Sequence, residues 1–301
     1  MITKFILDSG DPQEYQEIAN LARKKEKQLW GGTTNPTLIA KKLTGKKFTQ
    51  KEAFNLQKSI VFDILKIVPG AVSAEVYADE KTTAQAMAEQ GRGIGRWHQR
   101  VVVKLPTTIE GFKARTQLRK EKISVNNTLI FSQEQIFAIC LHEHIIKKTF
   151  GFIEESYPPF ISPFVGRLDD MNIDGMQLVE NGMKIKSLFD TQLWMLEASV
   201  RSLQHIKRGI DANTELITAP AKVYREWFGL TDEQVADLDA RAYASNFTPI
   251  PNWQPPHQLF KIRTIEEFVN ALEKGTINIH HDLTDKGLVK FAADWNAILS
   301  S

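Results

Sequence analysis

The stretch Val101-Val102-Val103-Lys104-Leu105-Pro106-Thr107-Thr108-Ile109-Glu110-Gly111-Phe112 decides how the chain is read. Three consecutive valines predict a strand buried on both faces, as in a parallel sheet. Pro106 cannot donate to a sheet ladder, so the strand ends near it. Lys104 then lies at the carboxyl end of a buried strand. Burying an ammonium is costly, and such a lysine gives up its proton more easily than an exposed one. A neutral amine in that place is what a Schiff-base enzyme uses. Taken alone, the stretch reads more simply as a lysine snorkelling from a strand end to solvent. Its surroundings must decide between the two.

The 301 residues are 42% hydrophobic and 25% charged, an ordinary soluble globular profile. That length suits one large barrel or two medium domains. A net charge of +2 gives no reason to expect a nucleic-acid partner. Cys140 is the only cysteine, so no intrachain disulfide framework exists and a reducing, cytoplasmic setting is expected. The start, Met1 to Asp8, lacks a signal peptide's apolar core. No apolar run approaches the roughly 20 residues that span a membrane.

Outward from Val101, short apolar runs alternate with amphipathic stretches. Strands are predicted at Lys4–Asp8, Gln28–Thr34, Ala71–Val76, Val101–Leu105, Ile123–Thr128, Phe160–Pro163, Leu193–Ser199 and Glu215–Thr218. Helices are predicted between them, near 12–25, after Asn35-Pro36, then 49–68, 80–90, 109–120, 132–148, 174–188 and 200–209. Eight such alternations predict an α/β fold with a closed (β/α)8 barrel, an open doubly wound sheet being the alternative. Beyond Pro220 come helical patterns near 221–243, 264–273 and 284–299. The proline-rich piece Asn246–His257 reads as a rigid surface loop. Residues 1–301 are therefore expected to form one barrel domain, with a helical extension over about 221–301.

In such a barrel the chemistry sits at the carboxyl ends of the strands. Asp8 ends strand one, Asn35 follows strand two, and Glu75 and Lys104 lie near the ends of strands three and four. Asn126 and Thr128 end strand five; Ser162 and Arg167 follow strand six; Ser199 and Arg201 end strand seven. Each has a dull alternative: Asp8 as a helix cap, Asn35 as a turn residue, Arg167 as a surface ion-pair partner. All of them at one end of successive strands is a poor match to accident.

At these residues the sequence resembles the transaldolase family, Schiff-base enzymes on a (β/α)8 barrel. The resemblance is carried by Leu7-Asp8-Ser9-Gly10-Asp11, Thr33-Thr34-Asn35-Pro36-Thr37-Leu38-Ile39, Val72-Ser73-Ala74-Glu75-Val76, Val103-Lys104-Leu105-Pro106-Thr107-Thr108, Asn126-Asn127-Thr128-Leu129-Ile130-Phe131-Ser132, Ile161-Ser162-Pro163-Phe164-Val165-Gly166-Arg167 and Ala198-Ser199-Val200-Arg201. These segments keep the family's order from residue 7 to about 220.

The resemblance implies a role for each residue. Lys104 forms an imine with a ketose phosphate. Asp8 takes the proton of the C4 hydroxyl and later returns it. Glu75 acts as acid and base for carbinolamine dehydration, through a water that Thr128 also holds. Asn35 and Asn126 hold hydroxyls of the retained dihydroxyacetone unit, with Ser162 beside them. Arg167 and Arg201, with Ser199, bind the phosphate, and the two cations help keep Lys104 neutral. The implied reaction moves dihydroxyacetone from sedoheptulose 7-phosphate to glyceraldehyde 3-phosphate, in the pentose phosphate pathway, with no metal or cofactor. The implied partners are sugar phosphates, with no nucleic acid and no membrane; a homo-oligomer is compatible with the sequence. The rivals are a fructose-6-phosphate aldolase that releases free dihydroxyacetone, and a non-catalytic sugar-phosphate-binding barrel. Glu75 favours transfer, because the aldolases of the family carry a different residue there.

The segment Leu141–Phe160, with His142-Glu143-His144, departs from the family pattern. On a helix His142 and His144 point apart and make a poor metal pair, so a solvated helix end is expected there. Gly91-Arg92-Gly93-Ile94-Gly95 precedes a strand instead of following one, and does not read as a dinucleotide loop. His280-His281 reads as a surface pair.

Overall fold

Strand ends in this chain are written by proline and hydroxyl residues. Pro106 closes the valine strand, and Thr108 beside it caps the next helix, its hydroxyl accepting from Gly111 N. Asp11-Pro12 and Asn35-Pro36 start helices in the same way, an oxygen-bearing cap before a proline that needs no donor. In the computed structural model, which describes residues 2–43, 45–151 and 156–300, this pattern repeats around a closed ring. The strands are β1 (Lys4–Asp8), β2 (Leu29–Thr33), β3 (Val72–Glu75), β4 (Val101–Pro106), β5 (Val125–Ile130), β6 (Phe160–Pro163), β7 (Trp194–Glu197) and β8 (Leu216–Ala219). All neighbours pair in parallel, and β8 returns to β1 to close the barrel. The fold is a (β/α)8 barrel with additional helices after β8.

The register places the site. Glu75 of β3 is level with Lys104 of β4, which is level with Asn126 of β5. Asp8 of β1 is level with Thr33 of β2. Gly31 and Gly32 let β2 sit tight. A Cβ on Gly31 would lie 2.3 Å from Ala71 O, and one on Gly32 would lie 2.5 Å from the Tyr15 hydroxyl.

Several boundaries differ from the sequence reading. β5 runs to Ile130, two residues past its expected end, because the following helix starts only at the Ser132/Gln135 capping box. β7 stops at Glu197, two residues before Ser199, whose φ of +60° turns the chain away from the strand direction. Ser199 and Arg201 therefore lie in the loop beyond it. Ser162 lies within β6, and Arg167 on a short helix, Val165–Asp169, that the sequence reading lacked. The Gly91–Gly95 run is the end of the helix Ala84–Gly95, where its small residues allow close approach. A Cβ on Gly91 would come 2.7 Å from a Leu118 methyl. The expected helix over 221–243 is three short ones, Ala221–Trp227, Asp232–Ala236 and Ala240–Ala244; Thr231 starts the second with its own capping box.

The largest correction concerns His142-Glu143-His144. This is no solvated helix end: His142 and Glu143 are buried. Their helix, Gln133–Phe150, is covered by the extension helix Ile265–Glu273, whose Phe268 stacks on His142 at 4.8 Å. Glu143 takes Arg119 at 2.7 Å and also pairs Arg115. Burial, reinforced by the two arginines, holds the His142 ring well below its usual pKa. His281 is likewise half-buried, capping the helix Asp282–Asn296 and stacking on Phe131, while His280 stays exposed.

Candidate active site

The carboxyl ends of the strands enclose a cavity of about 220 Å³. Asp8, Asn35, Lys104, Ser162, Arg167, Ser199 and Arg201 line it, so seven of the residues singled out in the sequence meet there. Glu75, Asn126 and Thr128 do not line it, and all three are buried around Lys104 on β3 and β5.

Lys104 is 3% exposed, and its Nζ lies 3.0 Å from Glu75 Oε2. It also donates to Thr34 O at 3.4 Å. The lysine thus does not snorkel; the register pairs it with a carboxylate inside the barrel. Burial raises the Glu75 carboxyl above its ordinary pKa, although the Lys104 charge pulls the other way. Glu75 is therefore able to hold a proton close to the amine.

Asp8 faces the same cavity. Its carboxyl is also raised by burial, opposed by Lys104 and by a hydrogen bond that Thr33 Oγ1 donates at 2.8 Å. A hydroxyl has one proton, so at the 2.7 Å contact between Thr33 and Thr218 it is Thr218 that donates. This chain orients Asp8. The helix that follows β1 is capped by Asp11, so Asp8 is not its cap.

Asn126 is held in one orientation: Ser162 Oγ donates to its Oδ1 at 2.7 Å, and its Nδ2 donates to Ser73 Oγ at 3.1 Å. Asn35 serves two ends. Its Oδ1 caps the helix Pro36–Lys42, accepting from Leu38 N at 3.0 Å, while the side chain lines the cavity. Thr128 Oγ1 is buried and has no hydrogen-bond partner, so it retains capacity for a bridging water or substrate.

The two arginines stand differently. Arg167 is half-buried, its guanidinium 5.2 Å from the Phe164 ring and 5.5 Å from the Phe291 ring. Lys104 Nζ sits 5.9 Å from both rings. Arg201 is exposed and paired with Asp170. Both present charge to the cavity mouth, where a phosphate would find bidentate donors.

Sequence reasoning missed Thr33, Thr218, Lys290 and Phe291, all of which line the cavity. The inward alternation of β2 and β8 could have signalled the threonines. Lys290 and Phe291 arrive from the helix Asp282–Asn296, far along the chain, and no local pattern points to the site. Among the described residues no group of three or more His, Cys, Asp or Glu is arranged to hold a metal, and no helix is long and apolar enough to cross a membrane.

A parallel eight-stranded barrel with a buried amine, two carboxyls and two arginines at the carboxyl ends of its strands has the layout of a barrel enzyme. The family model described as transaldolase/fructose-6-phosphate aldolase matches residues 5–301. The chain belongs to that family. It is 34% identical over 220 residues to a probable transaldolase of Thermoanaerobacter sp. (strain X514), covering 73% of this chain and 87% of that one. Similar figures hold for probable transaldolases of Brevibacillus brevis (34%; 74% and 89% covered) and Streptococcus pyogenes (33%; 73% and 88% covered).

Proposed function

We propose that this protein is a transaldolase that carries dihydroxyacetone between sugar phosphates as a lysine imine. The observation that carries the reading is Lys104 Nζ at 3.0 Å from Glu75 in a buried layer. Binding a sugar phosphate needs no buried amine; forming an imine does. The Lys104 amine attacks the C2 carbonyl of the donor, and the carbinolamine loses water with Glu75 as acid and base. Asp8 removes the C4 hydroxyl proton, the C3–C4 bond breaks, and its electrons enter the iminium. The aldose phosphate leaves, and the bound enamine adds to the incoming aldose phosphate as Asp8 returns the proton. Asn35, Asn126 and Ser162 hold the retained hydroxyls, Thr128 holds water with Glu75, and Arg167, Ser199 and Arg201 hold phosphate. Sedoheptulose 7-phosphate and glyceraldehyde 3-phosphate are the donor and acceptor of this reading, in a cytoplasmic enzyme. Residues 1–301 act as one barrel unit, the extension supplying part of the site wall.

Borohydride reduction in the presence of fructose 6-phosphate tests the mechanism. A three-carbon fragment is expected on Lys104 and is expected to be absent from Lys104→Met. A folded wild-type protein without the adduct would sink the imine. An assay with and without aldose phosphate acceptor separates transfer from the aldolase reaction, which would release free dihydroxyacetone at the same rate in both.

A further inference from the structure

His205 is fully buried on the helix Leu203–Asp211, yet it touches neither Lys104 nor its carboxylates. A buried imidazole needs partners at both nitrogens. Arg201 N donates to Nδ1 at 3.3 Å, and Nε2 lies 2.7 Å from Asp169 Oδ2. A backbone N–H only donates, so this pattern assigns the lone pair to Nδ1 and the proton to Nε2. Tyr243, from the extension, donates to the same Asp169 oxygen at 2.9 Å, and its hydroxyl oxygen lies 3.1 Å from Nε2, within reach of the Nε2 proton. The remaining Asp169 oxygen accepts from Gly175 N at 3.0 Å.

The positions of these groups give the arrangement its meaning. Asp169 ends the short helix that carries Arg167, and Arg201 lies in the loop after β7. One imidazole therefore spans the two segments that present the arginines. The same segments are joined by Val165 N to Ala198 O at 3.0 Å and Gly166 N to Ser199 O at 3.1 Å. They approach so closely that a Cβ on Gly166 would lie 2.3 Å from Ser199 O and 2.6 Å from Arg201 Nε. Asp170, next in sequence to Asp169, pairs the Arg201 guanidinium. Arg167 is fixed by two aromatic rings, whereas the Arg201 side chain is exposed and is held at its tip by Asp170 and at its main chain by His205.

We propose that Tyr243, Asp169 and His205 form a positioning relay that fixes the main chain of Arg201 and so sets the geometry of the two-arginine anion clamp. The inference rests on the reading of Arg167, Ser199 and Arg201 as the phosphate site. Asp169 and His205 are positioning residues; none of the three touches the reacting atoms. Burial alone would raise the Asp169 carboxyl, but the hydrogen bonds it receives hold it below its ordinary pKa, so it stays an acceptor. The relay therefore acts on phosphate recognition and leaves the imine chemistry alone.

The test compares wild type with His205→Ala, His205→Gln, Asp169→Asn and Arg201→Ala. Two quantities are measured: the Kd of inorganic phosphate by calorimetry, and kcat and KM for fructose 6-phosphate against fructose. Loss of one orienting hydrogen bond predicts about a tenfold weaker phosphate Kd and a similar rise in KM for fructose 6-phosphate in His205→Ala. The kcat and the rate with fructose are expected to hold. Glutamine offers an acceptor and a donor, so His205→Gln is expected to recover most of the affinity. Asp169→Asn keeps the shape but offers one acceptor where Asp169 offers two, so either the His205/Tyr243 side or Gly175 N faces an NH2, and it is expected to weaken phosphate binding as His205→Ala does; it also stands in if that variant fails to fold. Unchanged phosphate affinity in both His205→Ala and Asp169→Asn would overturn the relay, as would equal loss with fructose and fructose 6-phosphate. If Arg201→Ala also leaves phosphate affinity unchanged, the clamp reading itself has failed; if Arg201→Ala weakens it and the others do not, only the relay has.

Discussion

Glu197 shows what one side chain can cost. It points out of β7 into the helix layer, is fully buried, and neither carboxyl oxygen has a hydrogen-bond partner. A Cβ on Gly209 would lie 1.9 Å from its Oε2, so the facing helix leaves no room for solvent. Arg208 is nearby but already holds Asp174 and Glu180. Burial raises the Glu197 carboxyl well above its ordinary pKa. The sign follows from linkage. Unfolded, the group ionises near its usual value of about 4.3; folded, it ionises only at higher pH. Its contribution is fully present below the unfolded value and is lost as pH rises toward the folded one, at about 1.4 kcal/mol per pH unit. Thermal melts across this window are expected to fall more gently for Glu197→Gln than for wild type. Parallel slopes would show that the Glu197 carboxyl is not raised. The sequence reading did not single out Glu197, because alternation along β7 shows which face a residue takes and not what covers that face.

Between elements, the consequential contact is the charge cluster behind β5. Adjacent residues of this strand serve opposite sides: Asn126 faces the site, and Asn127 Oδ1 accepts from Arg115 Nε at 3.0 Å. Glu143 joins Arg115 and Arg119 across two helices with little solvent access. Removing one member of a buried charge cluster weakens the compensation of the charges that stay, so Glu143→Gln is expected to lose up to about 3–5 kcal/mol by chemical denaturation. A change below about 1 kcal/mol would mean the arginines rely on other groups. Reading this cluster from sequence failed for a definite reason. A helix pattern shows its own spacing, but the arginines come from the preceding helix and Phe268 from one far downstream. The strands were legible, since valine runs, prolines and caps act locally. Where they shifted, β5 runs on to Ile130 because the next helix starts only after its Ser132 cap, and β7 stops ahead of Ser199, whose φ of +60° the residue type does not advertise.

At the scale of the whole molecule, the barrel strands carry Asp8 and Lys104 and the helix Asp282–Asn296 supplies one wall of the cavity they line. Phe291 is 5% exposed and faces both Lys104 and Arg167. Thr284 Oγ1 donates to Leu129 O at 2.9 Å, fastening the helix to the end of β5. Phe291→Ala is expected to destabilise the protein by about 3 kcal/mol and to admit water beside Lys104. The measurement is Tm together with adduct yield under borohydride; an unchanged yield in a folded variant would show that the ring packs without shielding the amine. The seven cavity-lining residues read from the sequence all lie at strand ends or just after them, where barrel topology makes position predictable. The wall was not, because it depends on where an extension docks.

That wall has a consequence for biosynthesis. Lys104 and Phe291 are about 190 residues apart in the chain, so roughly 10–40 s of translation separates them. Until the later one emerges, the chain has no residue to fill the place of Phe291 beside Lys104. A polypeptide that stalls before residue 282 therefore presents Lys104 without the ring that covers it.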